Sequence, residues 1–130
     1  MKKSILITGG AGFIGSHLLR LLVNEYPETN FVNFDYLTYA GDLKRIDDIS
    51  NQPNYNFVHG DITDLSLLKI LFEKYNFDSV IHLAAESHVD QSITNPFSFA
   101  QTNVLGTLNL LEIAKEFLNK NFNDKLFYHI

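Results

Sequence analysis

The sequence predicts an α/β fold in which a parallel β-sheet is covered by helices on both faces. Short runs rich in β-branched and other apolar residues alternate with longer segments whose apolar residues recur at helical spacing. Some of the short runs are apolar on both faces, which is typical of strands inside a parallel sheet. Strands that alternate with helices in this way form one layered domain, because each helix carries the chain back to the start of the next strand.

The first half of the chain contains three predicted strands. Residues 4–8 form the first strand, which is followed by a tight glycine loop and a helix. The apolar residues of that helix recur at helical spacing: Ile14, Leu18, Leu21 and Leu22. The second strand, 31–34, ends at Asp35, and a short polar helix is expected near 42–49. Residues 56–59 are the third predicted strand.

The second half contains two further strands and two helices. Asp64 is expected to cap a helix. The apolar residues of this helix share one face: Leu65, Leu68, Leu71, Phe72 and Tyr75. The fourth predicted strand is 79–83 and the fifth runs from Leu126 to Ile130, while a polar loop through Pro96 precedes a long helix that runs to about Leu118. The apolar residues of the long helix form two stripes, one for the sheet and one for a partner: Val104, Leu108, Leu111 and Ala114, and Phe97, Leu110, Ile113 and Phe117.

The composition excludes several classes of function. A chain of 130 residues with 45% hydrophobic residues fits one domain with a sizeable core. A formal net charge of -5, without long basic runs, argues against a nucleic-acid partner. The absence of cysteine excludes disulfides and thiolate zinc sites, and the five histidines lack metal-ligand spacing, so no metal is expected. No apolar run reaches the roughly 18 residues of a membrane-spanning helix. The sequence therefore predicts a cytoplasmic protein that does not enter a membrane.

The histidines are interpreted as structural residues, with one exception that is discussed below. His82 and His129 fall inside predicted strands, where a buried and hydrogen-bonded imidazole is expected. His17 and His59 are assigned structural roles as well.

A glycine-rich loop follows the first strand and opens the first helix, which is the setting that a dinucleotide-binding fingerprint requires. Gly9 can make the sharp turn, Gly12 allows the backbone to approach a pyrophosphate, and Gly15 allows the helix and the strand to pack closely. The backbone N–H groups around Phe13 and Ile14 lie at the positive end of the helix dipole. The loop therefore predicts a pyrophosphate site.

Asp35 is the predicted ribose ligand. It lies 20 residues after Gly15, at the end of the second strand, where a carboxylate can accept hydrogen bonds from both hydroxyls of an adenosine ribose. A 2′-phosphate would be repelled there, so the cofactor is predicted to be NAD and not NADP. Lys44 and Arg45 are interpreted as exposed charges on a helix.

Asp61 and Ile62 are candidate adenine contacts. Asp61 follows the third strand, where its carboxylate can reach the adenine amino group while Ile62 flanks the ring. On local grounds alone, Asp61 fits the role of a turn or cap residue beside Thr63 and Asp64 equally well.

Together these features predict a Rossmann-type doubly wound sheet that extends over residues 1–130. A complete six-stranded sheet of this type needs at least one more strand and one more helix. We therefore expect the domain to be incomplete at its C-terminus.

Several segments resemble the extended short-chain dehydrogenase/reductase superfamily. They are the glycine loop, Asp61-Ile62 and Leu83-Ala84-Ala85 after the fourth strand. Residues 35–43 (Asp-Tyr-Leu-Thr-Tyr-Ala-Gly-Asp-Leu) and 82–93 (His-Leu-Ala-Ala-Glu-Ser-His-Val-Asp-Gln-Ser-Ile) are similar to the dTDP-glucose 4,6-dehydratases within it. Thr102-Asn103 and Gly106-Thr107 on the long helix are similar as well. The match covers essentially the whole chain but only the front part of the family's usual length, and Gln91 stands where that family usually carries arginine.

The resemblance implies a set of cofactor and substrate contacts. The adenosine side of NAD would be held by Asp35, Tyr36, Leu37, Thr38, Asp61 and Ile62. The nicotinamide side would be lined by Leu83, Ala84, Ala85, Glu86 and Ser87, with Thr102 touching the cofactor. The nucleotide-sugar substrate would be contacted by Ser87 and His88.

The resemblance also implies a reaction. The family oxidises C4 of dTDP-glucose with NAD, eliminates water across C5 and C6, and returns the hydride to C6, which yields dTDP-4-keto-6-deoxyglucose. The superfamily's catalytic base belongs to a Tyr-x-x-x-Lys motif, yet none of the six tyrosines has lysine four residues later. The family's Ser-Thr-Asp-Glu segment, which normally follows the fifth strand, is absent too.

These two absences place the catalytic residues of the parent enzyme beyond Ile130. The 130 residues themselves are expected to contain no catalytic residue and to be inactive alone. The resemblance further implies that the substrate domain lies outside these residues and that the long helix packs across a two-fold axis, which would make the parent enzyme a homodimer. A C-terminal part of the enzyme that covers the second apolar stripe of this helix is an equally open alternative.

Two alternatives remain open. One is another sugar-nucleotide enzyme of the superfamily, such as a UDP-hexose 4-epimerase or a different 4,6-dehydratase, although the segment from Glu86 to Asp90 favours the dTDP-glucose enzymes. The other is a non-catalytic NAD-binding regulator. A finished regulator is not expected to end inside an apolar strand, which favours an incomplete enzyme.

Overall fold

The computed structural model describes residues 2–38, 41–87, 89–118 and 126–130. Five strands form one parallel sheet: β1 (Ser4–Thr8), β2 (Asn30–Asp35), β3 (Tyr55–His59), β4 (Ser79–His82) and β5 (Leu126–His129). Their spatial order is β3-β2-β1-β4-β5, so the chain moves outwards through β2 and β3 and then returns to the other side of β1. This is the order of the first five strands of a Rossmann sheet, and it confirms the predicted fold class.

Helical segments connect the strands. The first crossover is α1 (Phe13–Glu25), and a 3₁₀ helix (Leu43–Ile49) lies between β2 and β3. Helix α2 (Leu65–Tyr75) leads into β4. Four consecutive helical pieces then follow: α3 (Val89–Thr94), α4 (Pro96–Ala100), a π-helical turn (Gln101–Gly106) and α5 (Thr107–Leu118). Within the described ranges, no helix has the length and apolarity needed to span a bilayer.

Each face of the sheet has its own buried core. On one face the sheet packs against α2 and α5 through Leu6, Val32, Phe34, Ile62, Leu68, Leu71, Phe72, Phe77, Val80, Leu110, Ile113 and Ala114. On the other face it packs against α1 and the 3₁₀ helix through Ile7, Leu19, Val23, Phe31, Ile46, Ile49 and Tyr55. Burial on both faces is what a parallel sheet with crossover helices requires, and it explains the apolar character of the strands.

Helix α2 begins and ends where its sequence predicts. The side chain of Asp64 accepts a hydrogen bond from the backbone N–H of Leu67 at 3.1 Å, which confirms the predicted cap. Asn76 ends the helix in the left-handed conformation, with φ of 47°. The predicted apolar face is correct for the centre of the helix but wrong for Leu65, which lies at the first helical position and is exposed.

The segment before α5 differs from its prediction. The predicted polar loop through Pro96 contains helix α3, and the predicted single helix after it is interrupted by the π-helical turn. A π-turn hydrogen-bonds from residue i to i+5, which shifts the angular phase of all following residues. This phase shift accounts for Phe97, which lies before the turn and is exposed instead of sharing the buried face of Leu110. Ala114 was also assigned to the wrong stripe, because it lies four residues after Leu110 and is buried on the same face of α5.

Two strands end one residue earlier than predicted. Strand β4 ends at His82 and not at Leu83, and β5 ends at His129 and not at Ile130. The N–H of Ile130 still donates to the carbonyl oxygen of His82 at 3.1 Å, so the backbone pairing reaches this residue. Its side chain is 71% exposed, because no described element packs over the end of the outermost strand. Ile130 is therefore an exposed residue after β5 and not part of the strand.

The prediction for His129 is also wrong. His129 is exposed, because β5 is the outermost strand of the described sheet and pairs only with β4. Its ring stacks on His82, with the two centroids 4.8 Å apart.

Leu110 and Leu111 provide a test of the face that α5 buries. Leu110 is fully buried between α5 and the sheet, whereas Leu111 is 44% exposed on the opposite side. We expect Leu110→Ala to lower the free energy of unfolding by about 2–5 kcal/mol, because it leaves a cavity in the core. Leu111→Ala is the matched control and should change that free energy by about 1 kcal/mol or less. Urea denaturation measures both values, and equal losses would contradict the observed orientation of α5.

Candidate functional site

A cleft of about 580 Å³ lies at the carboxyl ends of the central strands. The chain reverses its direction of winding between β1 and β4, so their connections diverge and leave a crevice. The cleft is lined by Gly9, Gly12, Phe34, Asp35, Tyr36, Thr38, Gly41, Gly60, Asp61, Ile62, Leu83, Ala84, Ala85, Glu86 and Thr102. Twelve of these fifteen residues are among the cofactor contacts predicted from the sequence.

The glycine loop forms one wall of the cleft. Gly9 has φ of 74°, and a Cβ at this position would lie 2.7 Å from the backbone nitrogen of Ala84, so only glycine fits. A Cβ at Gly15 would collide with the carbonyl oxygen of Gly9, which confirms the close helix-to-loop packing expected there. Gly12 lies at the cleft surface and precedes the first residue of α1. The loop thus presents backbone at the point where α1 begins.

The first residues of α1 lie outside the cleft lining. Phe13 and Ile14 are mostly exposed, and neither they nor Gly15 lines the cleft. Phe13 and Ile14 were predicted to bind a pyrophosphate through their backbone N–H groups and not through their side chains. In the first turn of a helix these N–H groups have no acceptor inside the helix. No acidic residue occupies the first turn of α1, so the positive end of the helix dipole is not neutralised there.

Asp35 ends β2 and is almost fully buried. One carboxylate oxygen, Oδ2, accepts a hydrogen bond from the N–H of Ala11 at 2.9 Å, and the other, Oδ1, accepts one from the N–H of Leu37 at 2.8 Å. Each oxygen of a carboxylate can accept about two hydrogen bonds, so each retains acceptor capacity on the cleft side. Asp35 therefore fixes the glycine loop and can still accept hydrogen bonds from two neighbouring hydroxyl groups of a ligand.

The 3₁₀ helix holds the glycine loop from the other side. The carbonyl oxygen of Ala11 accepts hydrogen bonds from the N–H of Asp42 at 3.0 Å and from Nη1 of Arg45 at 3.2 Å. The carbonyl of Arg45 in turn accepts a hydrogen bond from Arg20. Arg45 is therefore more than the exposed charge that the sequence predicted, since its guanidinium anchors this loop. Lys44 is exposed, as expected.

Asp61 and Ile62 form the opposite wall. Oδ1 of Asp61 accepts a hydrogen bond from the N–H of Thr63 at 2.9 Å, so the turn role weighed for this residue is real. Asp61 also lines the cleft, and the two roles therefore coexist. Ile62 is buried against Gly106, where an added Cβ would lie 2.5 Å from the Ile62 side chain. Asn109 contacts the carbonyl oxygens of Ile62 and Thr63 at 3.3 and 3.2 Å.

The segment after β4 forms the third wall and is held from two directions. The N–H groups of Leu83 and Ala84 donate to Oγ1 of Thr8 at 3.1 and 3.2 Å. Two residues later, the N–H of Glu86 donates to Oδ1 of Asn103 at 2.8 Å, and Nδ2 of Asn103 donates to the carbonyl of Glu86 at 3.0 Å. The π-helical turn therefore fixes this wall as well as supplying Thr102 to the lining.

Some predicted site residues are not part of the cleft. Ser87 is exposed and does not line it. Leu37 does not line it either and acts through its N–H on Asp35. His88 lies outside the described residues. Within those residues, no group of His, Asp and Glu side chains could hold a metal ion.

The structure adds three lining residues that the sequence did not predict, Phe34, Gly41 and Gly60, and all three pack closely against their neighbours. Gly60 lies against the ring of Phe34, and a Cβ at Gly41 would lie 3.1 Å from Oδ1 of Asp35. A glycine directly after a predicted strand, as at Gly60, is the only local signal that could have identified them.

His82 is buried beneath the cleft and confirms the structural role predicted for it. Nδ1 lies 2.6 Å from Oγ1 of Thr8, and Nε2 lies 2.8 Å from Oγ1 of Thr107. Burial, reinforced by the neighbouring His129, lowers the pKa of His82 from 6.5 to about 4. The ring is therefore neutral in the folded protein at neutral pH.

Comparison with known proteins gives a consistent set of relatives. The sequence profile described as GDP-mannose 4,6 dehydratase matches residues 6–130. The chain is 50% identical to the dTDP-glucose 4,6-dehydratase of Salmonella typhimurium over 130 residues, which cover 97% of this chain and 36% of that protein. The chain thus spans about a third of the length of the curated relatives that it matches.

Solved structures show the same likeness. The dTDP-glucose 4,6-dehydratase of Streptomyces venezuelae with NAD bound is similar at a TM-score of 0.79 and 44% identity, over 87% of this chain and 36% of that one. The UDP-Glc/GlcNAc 4-epimerase of Campylobacter jejuni is similar at a TM-score of 0.80 and 34% identity, over 90% of this chain and 35% of that one.

The low pKa of His82 predicts how stability depends on pH. Between pH 6.5 and about 4 the unfolded chain binds a proton at this ring and the folded chain does not. This contribution to stability is complete above pH 6.5 and is lost as the pH falls towards 4, by roughly 1–3 kcal/mol. Urea denaturation at several pH values gives the free energy of unfolding as a function of pH. In this window we expect that free energy to change less steeply with pH in His82→Asn than in the wild type. An equal pH dependence in the two proteins would contradict the low pKa of His82.

Proposed function

The chain belongs to the GDP-mannose 4,6-dehydratase family, and from that membership we propose that it is the NAD-binding domain of a dTDP-glucose 4,6-dehydratase. The observation that carries the proposal is the cleft, in which the Asp35 carboxylate and the glycine loop at the start of α1 face the same space. A carboxylate suits the ribose hydroxyls, and a helix N-terminus suits a pyrophosphate. The 50% identity to a dTDP-glucose 4,6-dehydratase supports the choice of substrate.

The residues of the cleft fit NAD. Asp35 would accept the hydroxyls of the adenosine ribose while its anchored oxygens keep the glycine loop in place. The NAD-bound dehydratase of Streptomyces venezuelae, at 44% identity, supports this cofactor.

Each wall of the cleft has a proposed part in the reaction. Tyr36 and Thr38 would hold the adenosine together with Asp61 and Ile62, and the segment from Leu83 to Glu86 would orient the nicotinamide. Bound NAD would supply the hydride acceptor for C4 and the hydride donor for C6. The chain's own residues would therefore bind and orient, and the exclusion of water at the nicotinamide would depend on the wall after β4.

The substrate contacts remain proposals. Ser87 is exposed next to the cleft wall, on the side where open α/β sheets bind ligands. Its hydroxyl would meet the sugar nucleotide, and His88 is proposed as its neighbour in this contact.

The catalytic residues are proposed to lie beyond Ile130 in the parent enzyme. The sequence contains neither the Tyr-x-x-x-Lys pattern of the superfamily nor the Ser-Thr-Asp-Glu segment of the dehydratases. The length of the relatives supports this proposal, since the chain covers 36% of the Salmonella typhimurium enzyme. Residues supplied from outside these 130 would therefore complete the active site next to Ser87.

The long helical segment is proposed to form a homodimer contact in the parent enzyme. Its exposed apolar side chains are Phe97, Val104, Leu105, Leu108 and Leu111. A patch of this kind commonly marks a protein interface. We also propose a cytoplasmic location, with which the absence of cysteine is compatible.

A UDP-hexose 4-epimerase is the second candidate. The Campylobacter jejuni epimerase has a TM-score of 0.80, as high as that of the dehydratase, because both enzymes share this part of the fold. Identity to single solved structures does not separate the two enzymes either, since one dehydratase and one epimerase are both 38% identical to the chain. The curated relatives at 44–50% identity are dTDP-glucose 4,6-dehydratases, and they favour the dehydratase. The dehydratase is therefore preferred.

Asp35 provides the test of the cofactor. We expect the wild-type chain to bind NAD much more tightly than NADP in calorimetric titrations, because the carboxylate repels a 2′-phosphate. Asp35→Asn should weaken NAD binding by roughly tenfold or more and narrow the preference for NAD over NADP. Asp47→Asn, on the exposed side of the 3₁₀ helix, is the matched control and should change neither value. Equal affinity of the wild type for both cofactors would remove Asp35 from the ribose site.

The reaction is tested with the nucleotide sugars themselves. We expect the full-length gene product to convert dTDP-glucose into a 4-keto-6-deoxy sugar, detected by NMR, and the 130-residue chain to convert none, because the catalytic motifs are absent. Turnover by the 130-residue chain would contradict the second expectation. Interconversion of UDP-glucose and UDP-galactose by the full-length product, without any 4-keto sugar, would favour the epimerase.

A further inference from the structure

A chain of hydrogen bonds runs beneath the cleft from Thr8 through His82 to Thr107. Oγ1 of Thr8 accepts hydrogen bonds from the N–H groups of Leu83 and Ala84, which occupy both of its lone pairs. The Thr8 hydroxyl can therefore act towards His82 only as a donor, over 2.6 Å to Nδ1. Nδ1 must then be the unprotonated nitrogen, and Nε2 carries the proton and donates to Thr107 over 2.8 Å.

At neutral pH this arrangement holds one tautomer of the neutral ring. A protonated ring would direct a second N–H at Oγ1 of Thr8, which has no lone pair left to accept it. The low pKa of His82 agrees with this restriction. The direction of every hydrogen bond from α5 to β1 is thereby fixed.

The end of this chain is the wall of the cleft. Leu83 and Ala84 both line the cleft, and the Ala84 N–H has Oγ1 of Thr8 as its acceptor. The Leu83 N–H is shared between Oγ1 and the carbonyl oxygen of Thr8. Gly9, which follows Thr8, packs directly on the backbone of Ala84. The position of this wall relative to the glycine loop therefore depends on the orientation of one hydroxyl group.

We infer that His82 is a positioning residue for the cofactor, whose Nδ1 orients the Thr8 hydroxyl so that the oxygen holds Leu83 and Ala84 at the cleft. His82 touches neither cofactor nor substrate in this scheme. Thr107 accepts the hydrogen bond from Nε2 and thereby links α5 to the cleft. The inference rests on the proposed function, since it takes NAD as the ligand.

Two amide substitutions test the roles of the two ring nitrogens of His82 separately. His82→Asn keeps an acceptor at the position of Nδ1, and His82→Gln keeps a polar group only at the position of Nε2. In calorimetric titrations with NAD, we expect His82→Asn to stay within about threefold of the wild type and His82→Gln to bind roughly tenfold more weakly. Hydrogen exchange at the Ala84 amide should be faster in the Gln variant than in the Asn variant.

The protonation of the His82 ring can also be measured in the wild type, which needs no variant to fold. The ¹⁵N NMR spectrum of the His82 ring at neutral pH should show a proton on Nε2 and none on Nδ1. A proton on Nδ1, or equal NAD affinity of both variants and the wild type, would overturn the inference while leaving NAD binding intact. A wild-type chain that binds no NAD would instead overturn the proposed function itself.

Discussion

The hydrogen bond from the Ala11 N–H to the Asp35 carboxylate is the contact on which the rest of the site depends. It joins the loop after β1 to the end of β2, beyond the backbone hydrogen bond from the Gly9 N–H to the Phe34 carbonyl oxygen at 3.0 Å. The other oxygen of the same carboxylate holds Leu37, and the carbonyl of Ala11 receives the 3₁₀ helix. One buried acidic group thus organises three segments, and its desolvation is offset by hydrogen bonds to both oxygens.

Most of the fold could be predicted because its signals are local. Strand and helix periods, the cap at Asp64 and the turn at Gly9 each depend on residues within one short segment. Five of the lining residues followed from such segments and their place beyond the carboxyl ends of parallel strands: Gly9, Gly12, Asp35, Asp61 and Ile62. The other seven lining residues that were predicted, among them Thr102 on the long helix, were assigned only by the family resemblance.

The remaining features depend on contacts between residues that are distant in the sequence. His82 meets Thr8 across 74 residues and Thr107 across 25, and no local pattern encodes either pairing. The reciprocal contact of Asn103 with Glu86 was missed for the same reason. The exposure of His129 and Ile130 depends on their position at the edge of the described sheet, which periodicity within the strand does not reveal.

The π-helical turn constrains the length of the chain as well as its composition. Its six residues bring Thr102 to the cleft and Asn103 to Glu86, and Gly106 at its end lies against Ile62. The wide turn accommodates about one residue more than regular α-helical winding does, so removal of one residue would restore that winding and take away a position that these contacts use. Insertions and deletions should therefore be selected against in this short stretch over evolutionary time, even where individual side chains are free to vary.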